Sequence, residues 1–136
     1  MMSTTAKLVP LWVRIVSGLV ALLNLAFGLS GYFNPTGILS GLTARTPEIL
    51  NAAYNFSARN TAIAIALIIV SLVGVPESIA IVMIIRFLVE GQDLVISILA
   101  GAGFTGLLMP IAFMVVEAVI IVTMIQLANA LHSKTA

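Results

Sequence analysis

Apolar residues so dominate this chain that its few polar positions carry the pattern. From about Val9 to Tyr32 the sequence is almost unbroken hydrocarbon, and three further runs follow at about 47–73, 77–99 and 109–131. Each matches or exceeds the ~20 helical residues that cross a ~30 Å hydrocarbon core. A backbone in lipid must pair its own N–H and C=O groups, so runs of this length predict helices. Asn34, Pro35, Thr36 and Gly37 make a strong turn signal inside a connecting loop over 31–46. Thr46, Pro47 and Glu48 then supply a hydroxyl cap, a proline at the first helical position and a carboxylate in the first turn. Gly74, Val75 and Pro76 leave room only for a tight turn, and Gly101, Gly103 and Gly106 loosen the chain before Pro110, which is expected to open the fourth helix. The expected fold is all-α: an integral membrane, up-down four-helix bundle formed as a single domain over residues 1–136.

The polar exceptions fall in register. At about 100° per residue, Arg86, Glu90 and Asp93 share one narrow arc of the third helix. An ionisable group facing lipid costs at least ~2.5–3.5 kcal/mol, so this stripe must turn toward protein or water. Asn51, Asn55 and Arg59 repeat at four-residue intervals as a second polar ridge, Glu117 is the single charge within the fourth run, and Asn24 interrupts the first. Counted at ~1.5 Å per residue from the outer ends of the spans, Asn24, Asn55, Arg59, Glu90, Asp93 and Glu117 lie about 6–15 Å deep, and Arg86 about 20 Å. That convergence predicts a polar pocket in the outer half of the bundle.

Within that pocket Arg59 and Arg86 oppose Glu90, Asp93 and Glu117, which leaves one carboxylate over. Glu117, alone on its helix, is the expected proton donor, with Glu90 or Asp93 paired to Arg86 and ionised. The candidate catalytic set is therefore Asp93, Glu90, Arg86, Glu117 and Arg59, with Asn24, Tyr54 and Asn55 as ligand-binding residues. The competing account of the same residues is interhelical: ion pairs and amide hydrogen bonds that fix helix register and take no part in chemistry.

Composition narrows the partners. Hydrophobic residues make up 61% of the chain and charged ones 8%, with mean hydropathy +1.21, against about 25% charged in soluble domains. A net charge of +1 gives no electrostatic footprint for nucleic acid. No cysteine is present, and the one histidine, His132, lies in the tail, so neither a metal nor a cofactor is expected. The expected partners are the lipid bilayer and a small lipophilic molecule. Small residues at four-residue spacing, Ser17 with Ala21 and Ala62 with Ala66, would also permit a homo-oligomer. Lys7, Arg14 and Lys134 on one side against Arg45 on the other place both termini in the cytoplasm, with Arg14 as a snorkelling anchor.

Three segments carry a family resemblance: GLSGYFNPTGILSGL after the first run, SARNTAIAI in the second and RFLVEGQDL in the third. Together they resemble the small four-helix DoxX-like membrane proteins over about residues 10–130, most specifically at Pro35, Arg59 and the Arg86 with Asp93 pair. The resemblance implies the four-helix bundle and the placing of those charges. Some similar small membrane proteins act on hydrophobic epoxides or terpenoid-like substrates, which implies acid–base chemistry of a hydrolase or isomerase type on a lipophilic substrate. The alternative is a non-enzymatic accessory or oligomeric membrane subunit whose buried charges hold helices together.

Overall fold

Residues 9–38, 46–101 and 103–133 are described by the computed structural model, and all of their regular structure is helical. The elements are α1 (Leu11–Phe33), α2 (Pro35–Ile38), α3 (Pro47–Val73), α4 (Pro76–Leu99) and α5 (Phe104–His132). Four of these are long, as the apolar runs predict. At ~1.5 Å per residue the shortest of the four, α1, measures about 35 Å and exceeds a hydrocarbon core. Three of them, α1, α3 and α5, are both long and apolar enough to cross a membrane. The remaining one, α4, has the length but carries Glu77, Arg86, Glu90 and Asp93.

Local chemistry sets the boundaries. The Ile49 N–H donates to Thr46 Oγ1 at 3.4 Å, the cap expected ahead of Pro47. Gly74 turns the chain with φ 73°, a backbone region that costs other residues a steric clash, and Pro76 opens α4 immediately afterwards. Past α4 the Gly101 N–H reaches Ile98 O at 3.0 Å with φ 76°, a left-handed helix stop. Two expectations are corrected. The turn at Asn34–Gly37 is a short helical one, with the Asn34 N–H bonded to Ser30 O at 2.7 Å and Pro35 starting α2. The fourth long helix begins at Phe104, not Pro110, which lies inside α5. Its first turn closes through the Gly106 N–H to Gly103 O at 2.9 Å. Proline deletes a single helical hydrogen bond, whereas leaving residues 104–109 as open chain would strand several in an apolar medium.

The chain divides into two compact units, one of them residues 14–72 and the other containing α4 and α5. In the first, α1 and α3 run antiparallel: Arg14 meets Ser71 and Leu72, Gly28 meets Ser57 and Thr61, and Tyr32 stacks on Tyr54 with centroids 6.0 Å apart. Buried positions on α3 alternate by fours and threes through Ala53, Ser57, Asn60, Ala64, Leu67 and Ser71, and most of them are small. Ser17 and Ala21 on α1 are buried as well, but Ala62 is exposed and Ala66 only half-buried, so the close-packing face of α3 is not the one its Ala-x-x-x-Ala spacing marks. Arg14 is not a free anchor: Nε donates to Ser71 O at 3.1 Å and Nη2 to Leu72 O at 3.3 Å, which puts a cation on the negative end of α3. Lys7, Arg45 and Lys134, the other residues in the orientation argument, lie outside the described residues.

In the second unit α4 and α5 are also antiparallel. Ile79 and Met83 on α4, and Ile120 and Met124 on α5, are fully buried, while Gly91 lies beside Met114. Ile81, Ile85, Leu88, Val115, Val119 and Val122 are exposed on the outer faces, an apolar exterior that water would penalise.

A Cβ at Gly28 would stand 2.5 Å from Thr61 Oγ1, 2.8 Å from Thr61 N and 3.1 Å from Ser57 O. Gly28→Ala is expected to destabilise the α1–α3 pair by about 1–3 kcal/mol in a detergent unfolding titration. Adding Thr61→Ala should recover only part of that loss, because the backbone nitrogen remains in the way.

Candidate functional site

Two helical pairs at four-residue spacing meet face to face between α4 and α5. Arg86 and Glu90 share a face of α4, and Phe113 and Glu117 share a face of α5, because four residues is close to one turn. The Arg86 side chain, 2% exposed, reaches all three of the others. Nη2 donates to Glu90 Oε1 at 2.6 Å, Nε lies 2.5 Å from Glu117 Oε1, and the guanidinium carbon sits 5.3 Å from the Phe113 ring centroid. The two carboxylates are held differently. The Glu90 contact is an aligned hydrogen bond, and that side chain keeps 15% of its exposure. Glu117 is fully buried, and its contact is a close ion pair without hydrogen-bond alignment, which leaves Arg86 Nε and both Glu117 oxygens without an aligned partner.

Two carboxylates, one from each helix, share the one guanidinium of Arg86. Burial makes each member expensive alone. Desolvating a charge costs several kcal/mol, and only the partner's field and aligned donors offset it. Glu117 is therefore not the solitary carboxyl that its helix suggested; it competes with Glu90 for Arg86. Among the described residues the charged partners of Arg86 are Glu90 and Glu117, and Asp93 is not one of them. Asp93 lies three residues beyond Glu90 on α4 and is half-buried.

The other candidates belong to the α1–α3 unit. Asn24 is 4% exposed, and its Nδ2 has no hydrogen-bond partner. Arg59 is half-buried, with its guanidinium 5.5 Å from the Phe56 ring centroid. Tyr54 is 42% exposed against Tyr32. Asn55 faces outward, and its Nδ2 donates to Asn51 Oδ1 at 3.2 Å. The predicted Asn51–Asn55–Arg59 ridge therefore divides: its first two members bond each other in the open. The buried amide of α3 is Asn60, which donates to Phe56 O at 2.9 Å. Sequence reasoning missed Asn60 and Phe113. The alternating four-three spacing of small residues on α3 marks the first, and the position four before Glu117 marks the second.

Glu77 and His132 approach to 3.9 Å, both outside the cluster, and His132 Nδ1 lies 2.9 Å from Ala128 O. Among the described residues, no group of three or more His, Cys, Asp or Glu side chains is placed to hold a metal ion. Comparison with protein families, curated proteins and solved structures finds no match to this chain.

Arg86→Met would leave two carboxyls facing each other without their cation, and the expected loss is about 3–5 kcal/mol of unfolding free energy. Combining it with Glu90→Gln and Glu117→Gln should restore most of that stability, because the triple variant buries no net charge. A single-variant loss under about 1 kcal/mol would show that Arg86 is solvated and the cluster does not hold it.

Proposed function

We propose that this chain is an integral membrane four-helix protein of DoxX-like type that binds or transforms a small lipophilic molecule at the Arg86–Glu90–Glu117 cluster. The observation that carries the reading is this buried cluster of a guanidinium and two carboxyl groups on helices whose outer faces are apolar. Intramembrane ionisable groups are costly and are retained where they act on ions, protons or ligands. A lipophilic molecule would reach the cluster through the bilayer rather than through water.

The chemistry such a site can offer is acid–base. Glu117 is the proton donor in this reading, Glu90 or Asp93 accepts a proton or activates water, and Arg86 holds the carboxylates in place. Opening a strained ring oxygen would use both halves: a proton passes from a carboxyl to the oxygen while an activated water attacks carbon, and the second carboxylate takes the proton that the water loses. Both termini are proposed to face the cytoplasm.

A second reading has its own support. Arg86 is held by two carboxylates and Arg14 by two helix-end carbonyls, as helix-fixing cations would be in an accessory or oligomeric subunit. Native mass spectrometry of gently solubilised protein separates the two. The ligand reading expects a bound small molecule that disappears in Glu117→Gln while helical content by circular dichroism is kept. A spectrum holding only a second copy or another protein, unchanged by the substitution, would overturn it.

A further inference from the structure

One polar group on the outside of α4 has no counterpart in the chain. Ile81, Ile85, Leu88, Gln92, Val95 and Leu99 are all exposed, and they alternate by fours and threes along one face. That is the spacing of a seam that packs against another helix at a shallow, left-handed crossing. Gln92 is its single polar member, and no hydrogen bond engages that amide among the described residues. The exposed amides of the other helices are better provided for. Asn55 is bonded to Asn51, one turn nearer the start of α3, and Gln126 is followed by Asn129 and His132 toward the end of α5. Beyond Gln92 the same face offers only Val95, Ile96 and Leu99. An amide left unbonded in hydrocarbon is costly. Gln92 also borders a hollow of about 500 Å³ whose lining residues, from Phe87 to Ile96, all lie on α4, with Gly91 among them. A small molecule there would meet protein on one side only, whereas a second helix would close the hollow along its length.

Resting on the reading that the chain spans a membrane, and independent of any ligand at the Arg86 cluster, we propose that α4 pairs with α4 of a second copy through this seam. Copies inserted with one orientation present their α4 helices in parallel, so Gln92 meets Gln92. A primary amide both donates and accepts, and it therefore complements itself. Across a two-fold axis each Gln92 carbonyl accepts from the N–H of the other, which satisfies both amides at once. The apolar side chains of one copy enter the hollow beside Gly91 of the other. The amide pair fixes the register, as a single polar residue does in a helical seam.

The chain contains no cysteine, so single cysteines report on the pairing without background. Leu88→Cys and Val95→Cys on the seam, and Val119→Cys on the exposed face of α5 as a control, are reconstituted into lipid vesicles and oxidised with copper phenanthroline. Covalent dimer is then read on a denaturing gel. Both seam positions should cross-link far more than Val119→Cys. Adding Gln92→Leu, which keeps the seam apolar, should weaken the pairing about tenfold at dilute protein in lipid, with circular dichroism confirming that the helices remain. Equal yields at all three positions, or yields that ignore Gln92→Leu, would overturn the pairing. Flotation on a density gradient separates this failure from that of the membrane reading. Protein that does not float with the vesicles refutes both, and floating protein without preferential cross-linking refutes the pairing alone.

Discussion

The α4–α5 pair is fastened by charge at one point and by close packing along the rest of its length. On the membrane reading proposed above, the charged point matters most. Helices in hydrocarbon gain little by burying apolar side chains against each other, because the lipid they displace is equally apolar. An arginine on such a helix can snorkel, bring in water or find an anion within the protein. Arg86 takes the last course twice over, with Glu90 from its own helix and Glu117 from the next. That choice fixes the register of the pair, since only this alignment places Glu117 beside Arg86, Met114 beside Gly91 and His132 near Glu77. It also gathers two carboxyl groups and a guanidinium at one buried point, from which the proposed acid–base chemistry follows.

The α1–α3 unit is joined by a different device. Gly28 brings the α1 backbone against Ser57 and Thr61, and small buried residues recur along α3. Backbones that approach this closely gain van der Waals contact that bulky side chains would forbid. Arg14 adds a charge-assisted tie to the carbonyls that end α3, and the Tyr32–Tyr54 stack lies toward the other end of the same interface. One unit therefore spends its polar residues on shape and the other on charge.

Much of this architecture was legible in the sequence because it is local. Thr46, Pro47 and Glu48 announced α3, Gly74 and Pro76 the break before α4, and Arg86 with Glu90 an intrahelical pair. The errors also have local causes. Proline reads as a helix opener under rules learned in water, where an uncoiled segment is solvated, yet Pro110 sits in the seventh position of α5. The ridge through Asn51, Asn55 and Arg59 followed a strict four-residue step, which drifts around a helix. Buried positions on α3 alternate fours and threes and so select Asn60 in place of Asn55. The pairing of Glu117 could not be read at all, since a carboxylate names no partner until two helices are set in register.

The central claim is that Glu117 and Arg86 meet inside the protein, out of reach of water. Solid-state NMR in lipid bilayers, with the guanidinium nitrogens of Arg86 and the carboxyl carbon of Glu117 isotopically labelled, measures that meeting directly. Strong nitrogen–carbon dipolar coupling, with no transfer of magnetisation from water to either group, is the result predicted by an Nε–Oε1 separation of 2.5 Å. Absent coupling together with efficient transfer from water to the guanidinium would place Arg86 at a headgroup or in a water defect, and the account would be wrong at its base.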